Sequence, residues 1–252
     1  MKNREAEKTD FIRRTLELTE ITYEDNHLLV VAKPSCVPTV PDAYRSYSLF
    51  DWCKEYLKRT RNKPGKVFLG VVHRLDRPVS GIVCFAVTSK AASRLTAQFR
   101  SREVEKTYLG LVRNRPPGSE GLLEHLLTKN RNRNIVTAYR TGEKGIAGKI
   151  ARTQWRLLKK LDNAYLLEMK PETGRSHQLR VQLAAMGCPL AGDKKYGDTA
   201  ARRYGLPVGL HALRLRLTHP TRKETMDFSA PIPETMPWTS YPELFTREIF
   251  PH

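Results

Sequence analysis

The chain has few cysteines, and they lie far apart. Cys36, Cys53, Cys84 and Cys188 form no CxxC pair and no Cys/His cluster at zinc-finger spacing, a pattern that indicates reduced, mostly buried thiols. The sequence also lacks an apolar run long enough to span a bilayer, and its first ten residues are too charged for a secretory signal. We therefore expect a soluble, cytoplasmic protein with no membrane partner.

Acidic residues are scarce relative to basic ones. The chain of 252 residues has 26 Asp and Glu against 44 Lys and Arg, a formal net charge of +18. A polyanionic partner would account for this charge, because each phosphate neutralised by Lys or Arg releases condensed counterions. A generally basic surface without a ligand is the alternative. Hydrophobic residues make up 40% of the chain, which is enough to build a core.

The segment from His73 to Gly81 places one carboxylate, Asp76, between Arg74 and Arg77. Apolar runs typical of strands precede and follow it, at 67–72 and 82–87, so the segment is predicted to be a polar turn between buried strands. Nearby positive charge favours the ionised carboxylate. Asp76 is therefore available as a nucleophile or a base, and a structural ion pair is the alternative.

Hydrophobic periodicity predicts helices at 48–60 and 89–102, with Ser48 and Ser89 as N-caps. A third, short helix follows the polar turn that starts at Pro171, and it ends at Gly187. Hairpins are predicted at 21–34 and at 153–169, and the basic segment 113–149 is expected to consist of loops and a hairpin. The strand prediction also includes 105–112, 213–217 and 225–228.

Two further polar residues lie on these predicted elements. Tyr108 is on the strand at 105–112, where a tyrosine usually belongs to the core. Arg180 is on the short helix, on one side with His177 and Ala184, and a lone arginine there is usually a surface residue. The residues alone assign neither side chain to a site.

Four segments, in matching order, resemble the RluA-type pseudouridine synthases, which isomerise uridine in RNA. They are YEDNHLLVVAKP at 23–34, HRLDRPVSG at 73–81, KTYLGLV at 106–112 and GRSHQLRVQLAAMGCPLAGDKKYG at 174–197. A fifth segment, LHALRLRLTHP at 210–220, looks like the closing strands of the same family. The resemblance covers the chain from near residue 20 to near residue 235.

The resemblance implies a role for each of four residues. Asp76 matches the family's catalytic aspartate, and Arg180 matches the arginine that pairs with it. Tyr108 matches the active-site tyrosine, which stacks on the flipped base and assists a proton transfer. Arg74 matches the arginine that fills the gap left in the RNA when the target uridine leaves the stack.

The implied reaction is site-specific conversion of uridine to pseudouridine in structured RNA, either ribosomal or transfer RNA. It breaks the bond from N1 to C1′, turns the base and joins C5 to C1′, without redox change or net hydrolysis. No cofactor and no metal are therefore expected. The carboxylate attacks C6 of the base, attacks C1′ of the sugar or removes a sugar proton, and the sequence does not choose among these routes.

The resemblance further implies an α+β fold: a single pseudouridine synthase-like catalytic domain with a large, mainly antiparallel mixed sheet flanked by helices and loops around a basic cleft. Residues 1–18 are predicted to be a charged N-terminal extension, and residues 19–252 the catalytic domain. There is no room for the separate N-terminal S4 domain that many relatives carry. We expect a monomer whose partner is RNA.

The sequence departs from the family pattern at three positions. Val79 stands where Thr is common, Cys36 where Gly is common, and Gln182 where His is frequent. None of them removes a proposed catalytic group. Two other classes stay open: a non-catalytic RNA-binding or RNA-chaperone protein that kept the fold, and a metal-dependent nuclease, for which the chain lacks a clustered set of carboxylates.

Overall fold

The computed structural model describes residues 2–17, 19–42, 46–62, 64–197 and 207–245. The α-helices of these ranges are α1 (Lys2–Glu17), α2 (Leu49–Thr60), α3 (Ser89–Ser101) and α4 (Gln178–Ala185). Their strands are β1 (Ile21–Glu24), β2 (Leu28–Lys33), β3 (Gly70–Val71), β4 (Ser80–Ala86), β5 (Glu105–Val112), β6 (Glu120–Asn130), β7 (Ile135–Arg140), β8 (Lys149–Lys160), β9 (Tyr165–Pro171), β10 (Leu210–Thr218) and β11 (Thr225–Ser229). Short 3-10 helices occupy Trp238–Ser240 and Pro242–Phe245.

The chain forms two compact units. The first contains Met1–Val104 and Arg214–Pro231, and the second contains Glu105–Leu213 and Ile232–His252. The residues of β10 are divided between the two units. None of the helices in the described ranges is long and apolar enough to cross a membrane.

The first unit is built on antiparallel strands around β4. Strand β2 pairs with β4 along its whole length, β1 pairs with β2, the short β3 pairs with β4, and β10 pairs with β11. Every residue of β4 is buried, as its continuous apolar sequence predicts. Helix α2 contributes the buried residues Leu49, Cys53 and Leu57 to this unit.

Side-chain caps fix the starts of α2 and α3. Ser48 caps α2 in a capping box with Asp51, so the predicted cap is confirmed. At α3 the cap is Thr88, whose hydroxyl accepts from the backbone N–H of Ala91. The prediction of Ser89 as this cap is wrong by one residue, because Ser89 already has the helical conformation.

The second unit is an antiparallel sheet with the strand order β5-β9-β8-β6-β7. Buried and exposed residues alternate along most of β8, so Ala151, Thr153 and Trp155 face inward while charged side chains face solvent. Val181 of α4 packs in a cluster with Leu127, Val136 and Ala151. Helix α4 therefore rests on the inner face of β6, β7 and β8.

The predicted α+β class with mainly antiparallel strands is confirmed. The hairpins β1–β2 and β8–β9 form as expected, and the basic segment 113–149 contains the hairpin of β6 and β7. The predicted strand at 67–72 is wrong in extent, because only Gly70 and Val71 pair with β4. A Cβ on Gly70 would lie 2.7 Å from the Cβ of Ala92, so the glycine permits close approach to α3.

Most of the predicted charged extension forms a helix. Helix α1 runs from Lys2 to Glu17, and Ile12 and Leu16 are fully buried in the first unit. The first and last residues of the predicted extension lie outside the described residues. The domain boundary near residue 18 stays a prediction.

Asp25 ties two turns of the first unit together. Its Oδ1 accepts from the backbone N–H groups of His27 and Leu28, each at 2.7 Å, and its Oδ2 lies 3.0 Å from the Tyr23 hydroxyl. Nδ1 of the buried His219 accepts two backbone N–H groups, so Nε2 carries the proton and donates to Asp25 Oδ2 at 2.9 Å. Burial alone would raise the pKa of Asp25, but these hydrogen bonds lower it below its ordinary value.

The variant Asp25→Ala should lower the free energy of unfolding by about 1–3 kcal/mol, because it leaves buried donors without an acceptor. Urea unfolding at neutral pH measures this loss. The control is Asp162→Ala, which removes an exposed carboxylate from the turn between β8 and β9 and should change stability by less than about 0.5 kcal/mol. Equal stability of the two variants would contradict the assigned role of Asp25.

Candidate active site

The polar turn predicted at 73–81 connects β3 to β4. Residues 72–79 belong to neither strand nor helix, and within this segment Arg74 is exposed and Asp76 is half-buried. The carbonyl of Asp76 accepts from the backbone N–H of Val79 at 3.0 Å, which closes the turn. The carboxylate is thus carried by a closed turn, and the arginine reaches solvent from the segment before it.

Arg77, the second arginine of the turn, binds elsewhere in the first unit. Its Nε donates to the Cys36 carbonyl at 3.1 Å, and its Nη1 lies 3.6 Å from Asp42 Oδ2. This guanidinium fixes the turn to the loop that follows β2. Arg77 therefore has a structural role in holding the turn.

Lys33 is a buried cation beneath the same turn. Its ammonium donates to the carbonyls of Pro34 at 2.9 Å, Val37 at 2.7 Å and Arg77 at 3.3 Å. Burial lowers the pKa of Lys33 to about 7, although attraction to Cys36 and Asp76 opposes this shift. Sequence reasoning assigned no role to Lys33, although a lysine that ends an apolar strand just before proline was the available signal.

Tyr108 lies near the start of β5, opposite Met169 of β9. It is half-buried, whereas the following residues, Leu109 to Val112, are all buried. The tyrosine therefore stands at the edge of the buried part of the strand. Such a position suits a ring that packs on one side and meets a ligand on the other.

Arg180 is the third residue of α4, and its side chain is only 7% exposed. Its Nε donates to Asp193 Oδ2 at 2.8 Å and its Nη2 to Asp193 Oδ1 at 2.7 Å, a bidentate ion pair. Its guanidinium carbon also lies 5.2 Å from the centre of the Tyr196 ring. The alternative of an ordinary surface arginine is wrong.

Asp193 is the residue of this site that sequence reasoning missed. It is fully buried, and its Oδ1 also accepts the backbone N–H groups of Lys195 at 2.9 Å and Tyr196 at 3.1 Å. Burial alone would raise the pKa of Asp193, but the Arg180 guanidinium and the two N–H donors lower it. The single acid beside Lys194 and Lys195 was the available signal.

Buried amides hold α4 on the sheet. Gln178 accepts from the Thr173 hydroxyl and donates to the Arg152 carbonyl and the Thr153 hydroxyl. Gln182 accepts from the Thr153 hydroxyl at 2.7 Å and donates to the carbonyls of Leu123 and Ala151. The glutamine that replaces the family's frequent histidine is therefore fully used, and it fixes the helix that carries Arg180.

The first turn of α4 is also fixed by Tyr196. His177 precedes the helix in the left-handed conformation, with φ of 53°, and its Nδ1 lies 2.6 Å from the Tyr196 hydroxyl oxygen. The same oxygen accepts the backbone N–H of Val136 at 2.9 Å. The tyrosine thus connects the helix start to β7, and its ring stands beside Arg180.

The predicted site residues occupy both units. Arg74 and Asp76 belong to the first unit, and Tyr108 and Arg180 belong to the second. The pairing of Arg180 with Asp76 stays a prediction. Within the described ranges, no group of three or more His, Cys, Asp or Glu side chains is arranged to hold a metal ion.

Comparison with known proteins identifies the class. The family model described as RNA pseudouridylate synthase matches residues 27–185, a range that contains all four predicted site residues. The solved structure of human RNA pseudouridylate synthase domain containing 1 has the same fold, with a TM-score of 0.70 and 30% identity over 86% of this chain and 85% of that one. The chain is an RNA pseudouridine synthase, an isomerase, and it belongs to the RNA pseudouridylate synthase family.

Comparison with curated relatives narrows the family resemblance to the RluA type. The dual-specificity RNA pseudouridine synthase RluA of Escherichia coli is 36% identical over 215 residues, which are 84% of this chain and 92% of the relative. The ribosomal large subunit pseudouridine synthase C of Vibrio vulnificus is 34% identical over 241 residues, 93% of this chain and 73% of the relative. The resemblance to the RluA type is confirmed.

The variant Asp193→Ala should lower the free energy of unfolding by about 3–5 kcal/mol, because it leaves the buried Arg180 charge without its partner. Urea unfolding measures this, with Asp162→Ala as the exposed control.

The same pair makes stability depend on pH in acid. The folded state lowers the pKa of Asp193, so its contribution is complete above the ordinary value of 3.8 and disappears as the pH falls through the lower folded value. The difference in unfolding free energy between the wild type and Asp193→Asn should therefore shrink as the pH falls below 3.8. A difference that stays constant from neutral pH into acid would contradict the ionic role of Asp193.

Proposed function

We propose that this enzyme converts a specific uridine of a structured ribosomal or transfer RNA to pseudouridine, with Asp76 as the catalytic carboxylate. Arg180 is its counter-charge, Tyr108 stacks on the flipped base, and Arg74 enters the RNA stack in its place. The observation that carries the proposal is the family match over residues 27–185, a range that contains these four residues.

The names of the relatives favour these substrates. The Escherichia coli relative is a dual-specificity RNA enzyme, and the Vibrio vulnificus relative acts on the ribosomal large subunit. The formal net charge of +18 suits a polyanionic substrate, since Lys and Arg contacts to phosphates offset the cost of unstacking the uridine. In the same proposal the protein works as a cytoplasmic monomer, and residues 19–252 form its catalytic domain.

The surroundings of Arg180 support its role as counter-charge. A guanidinium has five N–H donors, so it can bind a second carboxylate while it holds Asp193. The ion pair with Asp193 and the Tyr196 ring fix its orientation before RNA binds. A counter-charge that is already oriented spends no free energy on reorganisation during the reaction.

The proposed reaction assigns a role to each of these groups. The uridine leaves the RNA stack, and its base lies against the Tyr108 ring while Arg74 takes its place. Asp76 acts on the base or on the sugar, the bond from N1 to C1′ breaks, and the base turns. C5 joins C1′, the hydrogen on C5 leaves as a proton, and N1 gains a proton, so atoms and charge balance.

The variant Asp76→Asn should lower the rate of tritium release from RNA labelled at C5 of uridine by about 10³-fold or more, because it removes the reacting carboxylate. Affinity for the same RNA, measured by filter binding, should stay near that of the wild type. The matched control is Asp162→Asn, which changes an exposed aspartate and should keep full turnover.

The outcomes of these experiments test the catalytic role of Asp76. Turnover by Asp76→Asn at the wild-type rate would contradict the role of Asp76. A wild-type protein that binds RNA in a salt-sensitive way and forms no pseudouridine in any cellular RNA would instead establish the non-catalytic RNA-binding alternative. Mapping pseudouridines in total RNA, with and without the protein, identifies the modified uridine.

The variant Arg74→Ala should slow single-turnover pseudouridine formation more than it weakens RNA binding, because the side chain is proposed to stabilise the flipped state. We expect a rate loss of about 10-fold or more, since about 1.4 kcal/mol of the few kcal/mol that unstacking costs already corresponds to a factor of ten. The control Arg100→Ala removes an exposed arginine from α3 and should change only the salt-dependent affinity. Identical rates for both variants would contradict the proposed insertion.

A further inference from the structure

The backbone that carries Asp76 lacks the support of a sheet. Residues 72–79 lie in no strand or helix, yet the Leu75 side chain is only 6% exposed. Buried backbone N–H and C=O groups require partners, and here no neighbouring strand supplies them. Other side chains must therefore fix the path of the chain just before the carboxylate.

Thr39 supplies both partners for Leu75. Its side-chain oxygen donates to the Leu75 carbonyl at 2.8 Å and accepts from the Leu75 N–H at 3.2 Å. Thr39 is itself only 3% exposed, so water does not compete for these bonds. A single hydroxyl thus binds the two polar backbone groups of the residue that precedes Asp76.

Thr39 is in turn held by a capped helix. The N–H of Phe50 donates to the Thr39 carbonyl and the N–H of Leu49 to the Pro38 carbonyl, each at 3.0 Å. These donors belong to the first turn of α2, which Ser48 closes with its capping box. On the other side of Asp76, the Lys33 ammonium binds the Arg77 carbonyl. The turn is therefore bound on one side by Thr39, in the loop between β2 and α2, and on the other by Lys33, at the end of β2.

We propose that Thr39 is a positioning residue for the reaction: its hydroxyl fixes the backbone at Leu75 and thereby the place of the Asp76 carboxylate. This inference rests on the proposed function, because it concerns the carboxylate named there. Thr39 does not touch the uridine. It acts through Leu75, and a displacement of the carboxylate by about 1 Å is enough to cost up to about 10²-fold in rate.

Two comparisons isolate the hydroxyl. The first compares the wild type with Thr39→Val, which replaces the hydroxyl with a methyl group of similar size. The second compares Thr39→Ser, which keeps the hydroxyl, with Thr39→Ala, which lacks it, and this comparison decides if Thr39→Val does not fold. The probe is total RNA, labelled with tritium at C5 of uridine, from cells that lack the protein. Single-turnover release gives the saturating rate and the half-saturating protein concentration.

The saturating rate should fall by about 10-fold to 10²-fold in Thr39→Val and in Thr39→Ala, and Thr39→Ser should recover most of it. The half-saturating concentration should stay within about 3-fold of the wild type, because the RNA contacts are unchanged. Asp25→Ala is the control for loss of stability alone. It removes a partly buried carboxylate that accepts hydrogen bonds from His27, Leu28 and His219, and its folded fraction should retain the wild-type rate.

The outcomes separate the two proposals. Wild-type rates in the folded fractions of Thr39→Val and Thr39→Ala, beside an inactive Asp76→Asn, would overturn the inference and leave the proposed function standing. A defect confined to the half-saturating concentration, or one that Asp25→Ala shares, would also overturn it. Full turnover by Asp76→Asn would remove the proposed function and the inference together.

Discussion

The structure depends on one constraint, that a charged group inside a protein must have a fixed partner. Arg180 and Asp193 satisfy it for each other by two parallel hydrogen bonds, with side chains 7% and 1% exposed. Neither charge would be tolerated there alone, so the pair also determines how the segment around Asp193 folds against α4. The ion pair thus holds an arginine inside a strongly basic protein with its side chain almost fully removed from solvent.

The same principle operates on the backbone of the first unit. The turn with Asp76 has no neighbouring strand, and its polar groups are bound by Thr39, Lys33 and the closing bond from Val79. Such a turn is free to project a carboxylate because it is not part of a ladder, and it is rigid because buried side chains replace the ladder. This combination is what pre-organised catalysis requires of a loop.

Much of this organisation could be predicted from local pattern. Continuous apolar residues predicted β4, and periodicity predicted α2 and α3, all of which form. The roles that the motifs assign to Asp76, Tyr108 and Arg180 stay predictions. Local pattern could not show Asp193 as the partner of Arg180, because the two residues are brought together by the path of the chain after α4. Thr39 and Leu75 were missed for the same reason: they are 36 positions apart, and a hydroxyl that binds backbone leaves no periodic signal.

The glutamine at position 182 has a consequence for the conditions under which the enzyme keeps its shape. The family frequently has histidine here, and an imidazole changes its charge and its donors near neutral pH. The amide of Gln182 has no proton to gain or lose, and its bonds to Thr153, Leu123 and Ala151 are the same in mild acid and mild alkali. Position 182 therefore adds no titrating group of its own to the contacts that hold α4 on its sheet.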